Sequence, residues 1–275
     1  MPPVRAVTLP PPPALADDVA CFCIVEHTGS AALSIDVAPQ AVAGMVFQHH
    51  GGRSALQSIV TPAGVTPAAP TLFVYGPGVE PSTMHWGPGP YTSVQVVFKP
   101  HALATLFGLN AGALGSGFVE PGDLGAAPAA DRLTSRLGDR LLDAPDVQAQ
   151  LGVLADFLTA HAREGRAGDD LVAASLRLIH GDIGSASVRR LTERLHISQR
   201  QFERRFRRTV GVPPQSYIRV QRVQAALRLI RSGRCATLTE VAHTLGFYDQ
   251  AHLSRDIKQL SGLSPKQVSR KQAEF

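Results

Sequence analysis

The chain has 275 residues, 44% of them hydrophobic, with 27 Lys+Arg against 22 Asp+Glu and a net charge of +5, long enough for two domains with proper cores. No apolar run reaches the length of a membrane span, and Met1–Asp18 carries a proline cluster (Pro10–Pro13) where an export signal would need an apolar core. Three cysteines (Cys21, Cys23 and Cys235) are an odd count that fits a reduced, cytoplasmic protein without disulfides.

Residues 19–99 read as strands and turns. VACFCIVEH, AGMVFQHH, TLFVYGP and YTSVQVVFK are short runs rich in Val, Ile, Phe and Tyr, bounded by Gly and Pro clusters. Their spacing predicts a small antiparallel barrel or sandwich. Cys21 and Cys23 share one strand face but lie on one chain, poorly placed for a bridge. Adjacent His49 and His50 face opposite sides of a strand, and no His-x-His pair with a following glutamate occurs, so no metal is expected. Any ligand should sit in an apolar pocket, for which Phe47, His49, Tyr75, His85 and Trp86 are the strand candidates.

Residues 100–165 turn helical. HALATLFG follows the last strand, and Leu133, Leu137, Leu141 and Leu142 make one stripe. Val147, Leu151, Leu154 and Leu158 make a second, which either packs against the barrel or pairs two chains as a homodimer. Glu164–Asp169 is a polar linker. The expected division is a β-rich domain over 1–125, a helical connector or dimerisation region with its linker over 126–169, and an all-α domain over 170–275; the fold class is α+β. Charge divides there too: residues 1–169 hold 8 Lys+Arg against 14 Asp+Glu (net −6), residues 170–275 hold 19 against 8 (net +11). A basic end on an acidic partner implies a polyanion bound at one end only.

Ser187–Gly211 reads as two helices joined by a sharp turn. Val188, Leu191 and Leu195 form the first stripe, His196-Ile197 the turn, and Ser198 the N-cap of a second helix that buries Phe202 and Phe206 and stops at Gly211. Its other faces carry Gln and Arg, the pattern of a helix-turn-helix DNA reader. The unit recurs. Leu191, Leu195 and Ile197 find Val241, Leu245 and Phe247 fifty positions on; Phe202, Arg204, Phe206, Gly211 and Pro214 find Leu253, Arg255, Ile257, Gly262 and Pro265 fifty-one on. The extra residue falls in the second turn, as in a duplicated structural unit. Between the units, Pro213–Ser232 predicts one helix with Val220, Val223, Leu227 and Ile230 on a stripe, about 28 Å long at 1.5 Å per residue. Successive major-groove faces lie about 34 Å apart, so such a rod holds two heads in adjacent grooves.

This pair of units resembles the AraC/XylS-type transcription regulators over residues 170–275, with VAHTLGFYDQAHLSRDIKQLSGLSP closest to the family signature. Leu253 and Ile257 stand where the family often has an aromatic, and Gln267-Val268 replaces its tyrosine-bearing ending. The resemblance implies a sequence-specific DNA-binding regulator with an N-terminal effector-sensing or oligomerisation domain. That domain is cupin-like in the sugar-sensing members; here it looks more like a less characterised sensor domain. The implied partners are double-stranded DNA, a small-molecule effector and RNA polymerase; no membrane and no cofactor are implied.

The start of a recognition helix enters the groove, which nominates Gln199, Arg200, Gln201 and Arg204 in the first unit and Gln250, Ala251, His252 and Arg255 in the second. Arg pairs with guanine and Gln with adenine; Ala reaches only a thymine methyl. Arg207, Arg208, Arg219, Arg222 and Lys258 read as phosphate contacts or fold charges, Arg222 more as the latter. A nucleophile elbow, a phosphate loop and a Cys-x-x-Cys pair are absent, so no enzyme is expected. Two other classes remain in view: an architectural DNA-binding protein without sequence choice, and an N-terminal enzyme fused to a DNA anchor.

Overall fold

A computed structural model of the chain describes residues 4–50, 53–115, 117–119, 136–164, 167–233 and 237–271. Among these, ten strands build two antiparallel sheets: β1 (Val4–Leu9), β2 (Val19–His27), β3 (Leu33–Val37), β4 (Gly44–His49), β5 (Leu56–Thr61), β6 (Gly64–Pro67), β7 (Leu72–Tyr75), β8 (Ser82–Trp86), β9 (Tyr91–Phe98) and β10 (Phe118–Val119). The large sheet runs β1-β2-β9-β4-β7-β10 and the small one β3-β8-β5-β6. Helices α1 (Ala102–Phe107), α2 (Ala111–Leu114), α3 (residues 136–142) and α4 (Val147–Arg163) follow.

Strand alternation decides what each face meets. In the large sheet Phe22, Met45, Phe47, Val94, Val96 and Phe98 share one face, and it packs on α1, α3 and α4 through Leu103, Leu106, Leu137, Leu141, Leu154 and Leu158. The opposite face, with Val46, Phe73 and Tyr91, meets Leu56 and Trp86 of the small sheet. The result is three layers: helices, large sheet, small sheet.

Three expectations change here. The sequence runs matched β2, β4, β7 and β9, which are the strands richest in buried apolar side chains. The six others are half-exposed and short or polar, such as LSIDV, LQSIVT and STMHW, and their alternation is too weak to stand out. Leu142 does not join the α3 stripe: one position past buried Leu141, it is 45% exposed. Leu133 and Cys235 lie outside the described residues. Of the α4 stripe, half is spent on packing within the chain. Leu154 and Leu158 are fully buried against its own β core, with Val147 and Leu151 partly buried beside them.

The C-terminal helices are α5 (Asp170–Gly181), α6 (Val188–Leu195), α7 (Gln199–Val210), α8 (Pro214–Ser232), α9 (Leu238–Thr244), α10 (Gln250–Ser261) and α11 (Pro265–Lys271). Asp169, Ser187, Ser198, Thr237 and Asp249 each cap a helix by accepting a backbone N–H through the side chain. His196 takes the left-handed conformation that turns α6 into α7, and Gly211 and Gly262 end α7 and α10 at equivalent points of the repeat. One core joins both units to α8: Leu191, Phe202, Phe206, Tyr217, Val220, Val223, Leu227, Val241, Leu245, Phe247, Leu253 and Ile257 are all buried in it.

Leu245→Ala and Phe247→Ala should each cost about 2–5 kcal/mol, the range for emptying a buried apolar site. Denaturant unfolding followed by amide exchange should show α9 and α10 losing protection first, with α6 and α7 retaining theirs. Unchanged stability would contradict the equivalence of these positions with Leu195 and Ile197.

Candidate nucleic-acid interface

Helix α7 is shaped by what its inner face does. Phe202 and Phe206 have ring centroids 5.5 Å apart, and Phe206 meets Tyr217 of α8 edge-on at 5.5 Å. Burial pushes the Tyr217 hydroxyl well above its ordinary range, and it is hydrogen-bonded to His180 Nε2 at 2.8 Å. With that face committed, Gln199, Arg200, Gln201, Arg204, Arg207 and Arg208 are left exposed. The Gln199 Nε2 donates to Glu203 at 2.8 Å, and the Ser198 hydroxyl donates to Gln201 Oε1 at 3.0 Å. Among the described residues Arg200, Arg204, Arg207 and Arg208 have no side-chain hydrogen bond or ion pair. Arg205 does not belong with them: it grips Asp169 with two 2.7 Å hydrogen bonds and ties α7 to the cap of α5.

The second head is built alike. Asp249 accepts from the His252 amide at 2.7 Å, and Gln250, Ala251 and Arg255 are exposed on the first turns of α10. Gln250 accepts from the Thr239 hydroxyl at 3.2 Å, and Arg255 Nε donates to the Ala251 carbonyl at 3.3 Å. His252 is half-buried and edge-on to Phe247 at 5.4 Å, so it serves the core as well as the surface. Sequence reasoning passed over Tyr248, which is 89% exposed directly before the α10 cap. Neither periodicity nor capping singles out such a residue; only its exposure does.

Helix α8 holds the two heads together. Arg219 makes a bidentate pair with Asp256 of α10 at 2.8 and 3.1 Å and reaches Gln259 at 2.6 Å. The hydrogen bonds to Asp256, with its charge, hold the Arg219 pKa above the ordinary value against the opposing effect of burial. Arg222 donates to the carbonyls of Ile183, Gly184 and Ala186, at 3.2, 3.3 and 2.7 Å, just before α6. Burial lowers its pKa, partly offset by Asp256. Both are fold charges. Beside them Gly246 (φ 71°) has the Gly184 carbonyl where a side chain would begin, so the turn of the second unit touches the entry of the first.

The proposed ligand residues of the β domain do not gather. Phe47 and His49, with ring centroids 5.4 Å apart, share the helix-facing side of the large sheet. Tyr75 and Trp86 lie between the sheets, where Trp86 stacks on Tyr91 at 4.8 Å. His85 alternates to the outside of the small sheet and bonds the Ser34 hydroxyl at 2.8 Å. A cleft of about 840 Å³ instead separates the halves, with Cys21, Lys99 and His101 on one wall and Arg177, His180 and Arg228 on the other. No described helix is long and apolar enough to cross a membrane.

Residues 191–271 match the family model "Helix-turn-helix domain", and residues 7–120 match "Domain of unknown function (DUF6597)". Two curated proteins named "Putative AraC-like transcription regulator" are similar over 98 residues: 34% identical in Streptomyces lividans and 32% in Streptomyces antibioticus. Each match covers 35% of this chain and only 32% of the relative. The structure of ToxT from Vibrio cholerae is similar over 92% of this chain and 98% of its own, at 10% identity and a TM-score of 0.50, which shows a shared two-part fold. The C-terminal domain is thus of the AraC type, as its motifs imply.

The Asp169 carboxyl is subject to burial, which raises its pKa. Hydrogen bonds from Arg205 and the Val172 and Leu171 amides, with the Arg205 charge, outweigh this and hold it below the ordinary value. Its contribution to stability is therefore full above about pH 4 and lost as pH falls through the lowered folded value. Asp169→Asn keeps the cap and removes the charge. It should lower stability at pH 7 and flatten the acid limb below pH ~4. Denaturant unfolding of both proteins across pH checks this; parallel acid limbs would contradict it.

Proposed function

We propose, from a C-terminal DNA-binding domain of the AraC type, that the protein is a sequence-specific transcription regulator whose N-terminal half senses an effector. One observation carries the reading. Two capped helices, held in one core by one rod, each present exposed Arg and Gln at their first turns, and Arg200 and Arg204 have no side-chain partner among the described residues. Arg is suited to guanine and Gln to adenine. The 19-residue α8, about 28 Å long, suits two heads in successive grooves about 34 Å apart. On this reading Gln199, Arg200, Gln201, Arg204, Gln250, Ala251 and Arg255 address bases, and Arg207 and Arg208 address phosphate; His252 is a lesser contributor.

For effector sensing, the supporting feature is the cleft between the halves rather than the scattered strand residues. An occupant there touches α5 and α8 as well as the β domain, so its binding would bias how the halves sit. The residues 170–275 are taken as the reading unit and the β domain with its packed helices as the sensing unit.

Selecting bound duplexes from a random pool with the full chain tests sequence choice directly. Against the selected duplex, Arg200→Ala and Arg204→Ala should each lose about 1–3 kcal/mol and relax preference at one base position. Arg208→Ala should weaken all duplexes equally. An empty selection, or equal loss on random and selected DNA for every variant, would favour the architectural reading.

A further inference from the structure

We propose that α2 of the N-terminal half is a third DNA-contacting element: the cleft between α2 and α7 receives one backbone phosphate of the duplex, held by Arg207, Arg208 and Asn110. The proposal rests on reading α7 as a recognition helix.

The cleft, of about 570 Å³, has Asn110, Gly112 and Ala113 on one wall and Arg200, Glu203, Arg204, Arg207 and Arg208 on the other. Its walls are fixed to each other. A Cβ at Gly112 would stand 3.0 Å from the Arg207 carbonyl oxygen, and one at Gly211 would stand 3.0 Å from the Ala111 carbonyl and collide with Pro77. Four guanidiniums without partners among the described residues therefore share one narrow space. The single carboxylate there, Glu203, already accepts from Gln199. Like charges on one helix face repel, and an anion bound beside Arg207 and Arg208 offsets that repulsion. The Asn110 carbonyl oxygen accepts from the Gly112 amide at 3.1 Å, which leaves its NH2 to donate. Guanidinium and amide N–H together suit the oxygens of a phosphodiester.

The position along α7 says which part of the duplex is met. Gly112 touches Arg207, eight residues beyond Gln199, or about 12 Å along the helix at 1.5 Å per residue. The major groove is about 8.5 Å deep and about 12 Å wide. When the first turn of α7 lies on base edges, α2 stands at the rim of the groove, where the phosphates run. It adds a contact there rather than blocking entry.

The test is a titration of the full chain with its selected duplex and a random duplex over a range of salt. Asn110→Asp keeps the α2 cap, since Asn and Asp cap equally well, and puts a carboxylate into the cleft. It should weaken both duplexes about tenfold, leave the base preference intact and make the salt slope shallower by about one. Arg207→Ala should do the same, and the double variant should lose less than the two losses combined. Gly112→Leu, which pushes α2 off α7, should also weaken binding severalfold. Asn110→Asp within twofold of the parent would overturn the proposal. So would tighter binding by Gly112→Leu, which would make α2 a brake. Inorganic pyrophosphate binding lost in Asn110→Asp, with DNA binding unchanged, would assign the cleft to a soluble phosphate and overturn it too. A parent protein that binds no duplex would overturn the reading of α7 together with this one, whereas an indifferent Asn110 would overturn the α2 contact alone.

Discussion

Two arginines one turn apart on α8 decide where the reading heads stand. Arg219 reaches forward to Asp256 and Gln259 in the second unit, and Arg222 reaches back to three carbonyls at the entry of the first. Arg222 is the more buried of the two, and its donors are met by three carbonyls; Arg219 is partly exposed, so solvent weakens its pair with Asp256. Each arginine adds a directional contact that the apolar core does not supply. The contact of Gly184 with Gly246 closes the same joint from the other side. A rod alone would leave the heads free to turn about its axis; these contacts set their mutual orientation as well as their spacing.

The two halves meet through neutral groups despite their opposite net charges. Gln221 and Gln224 of α8 donate to the carbonyls of Gln40 and Pro39, at 2.8 and 2.7 Å. Ala41 is buried in the C-terminal core, with Ala38 and Val79 packed against it. Single amide hydrogen bonds contribute modestly, about 0.5–1.5 kcal/mol each. Such a joint, with the apolar contacts beside it, positions α2 beside α7. The two clefts are bounded on the C-terminal side by different helices of one core, the larger by α5 and α8 and the smaller by α7.

How legible each part was follows from its pattern. The duplicated unit was readable because caps, stops and buried positions recur at a fixed offset, and each carries local meaning. Ser198 and Gly211 are examples: a side-chain oxygen for an open amide, and a glycine for a left-handed exit. The β domain was half legible. Strands with both faces covered, such as β4, announce themselves as apolar runs, whereas STMHW and LSIDV have one wet face and too few residues to show a period. The ligand residues failed for a related reason. Identifying Phe47 and Tyr75 as strand aromatics does not say which face each takes, and the register of Gly44 against Tyr75 puts them on opposite sides. Contacts between the halves were invisible, since nothing local in Asn110 or Gln221 marks a partner more than ninety residues away.

The arginines of α7 make the same point at the level of single side chains. Arg204 and Arg205 are neighbours of one type on one helix; helical position opposite Phe202 nominates Arg204 from sequence, but nothing in the sequence shows the carboxylate that Arg205 meets. About a hundred degrees of helical rotation separates them: Arg205 turns toward Asp169 and becomes part of the fold, and Arg204 turns away and keeps its charge unspent. Four unspent guanidiniums on two turns cost the isolated protein stability through mutual repulsion. A sequence selected for stability alone would thin them out, as surface charge optimisation readily does. The proposed DNA contact rests on their exposure beside a capped helix start without partners among the described residues.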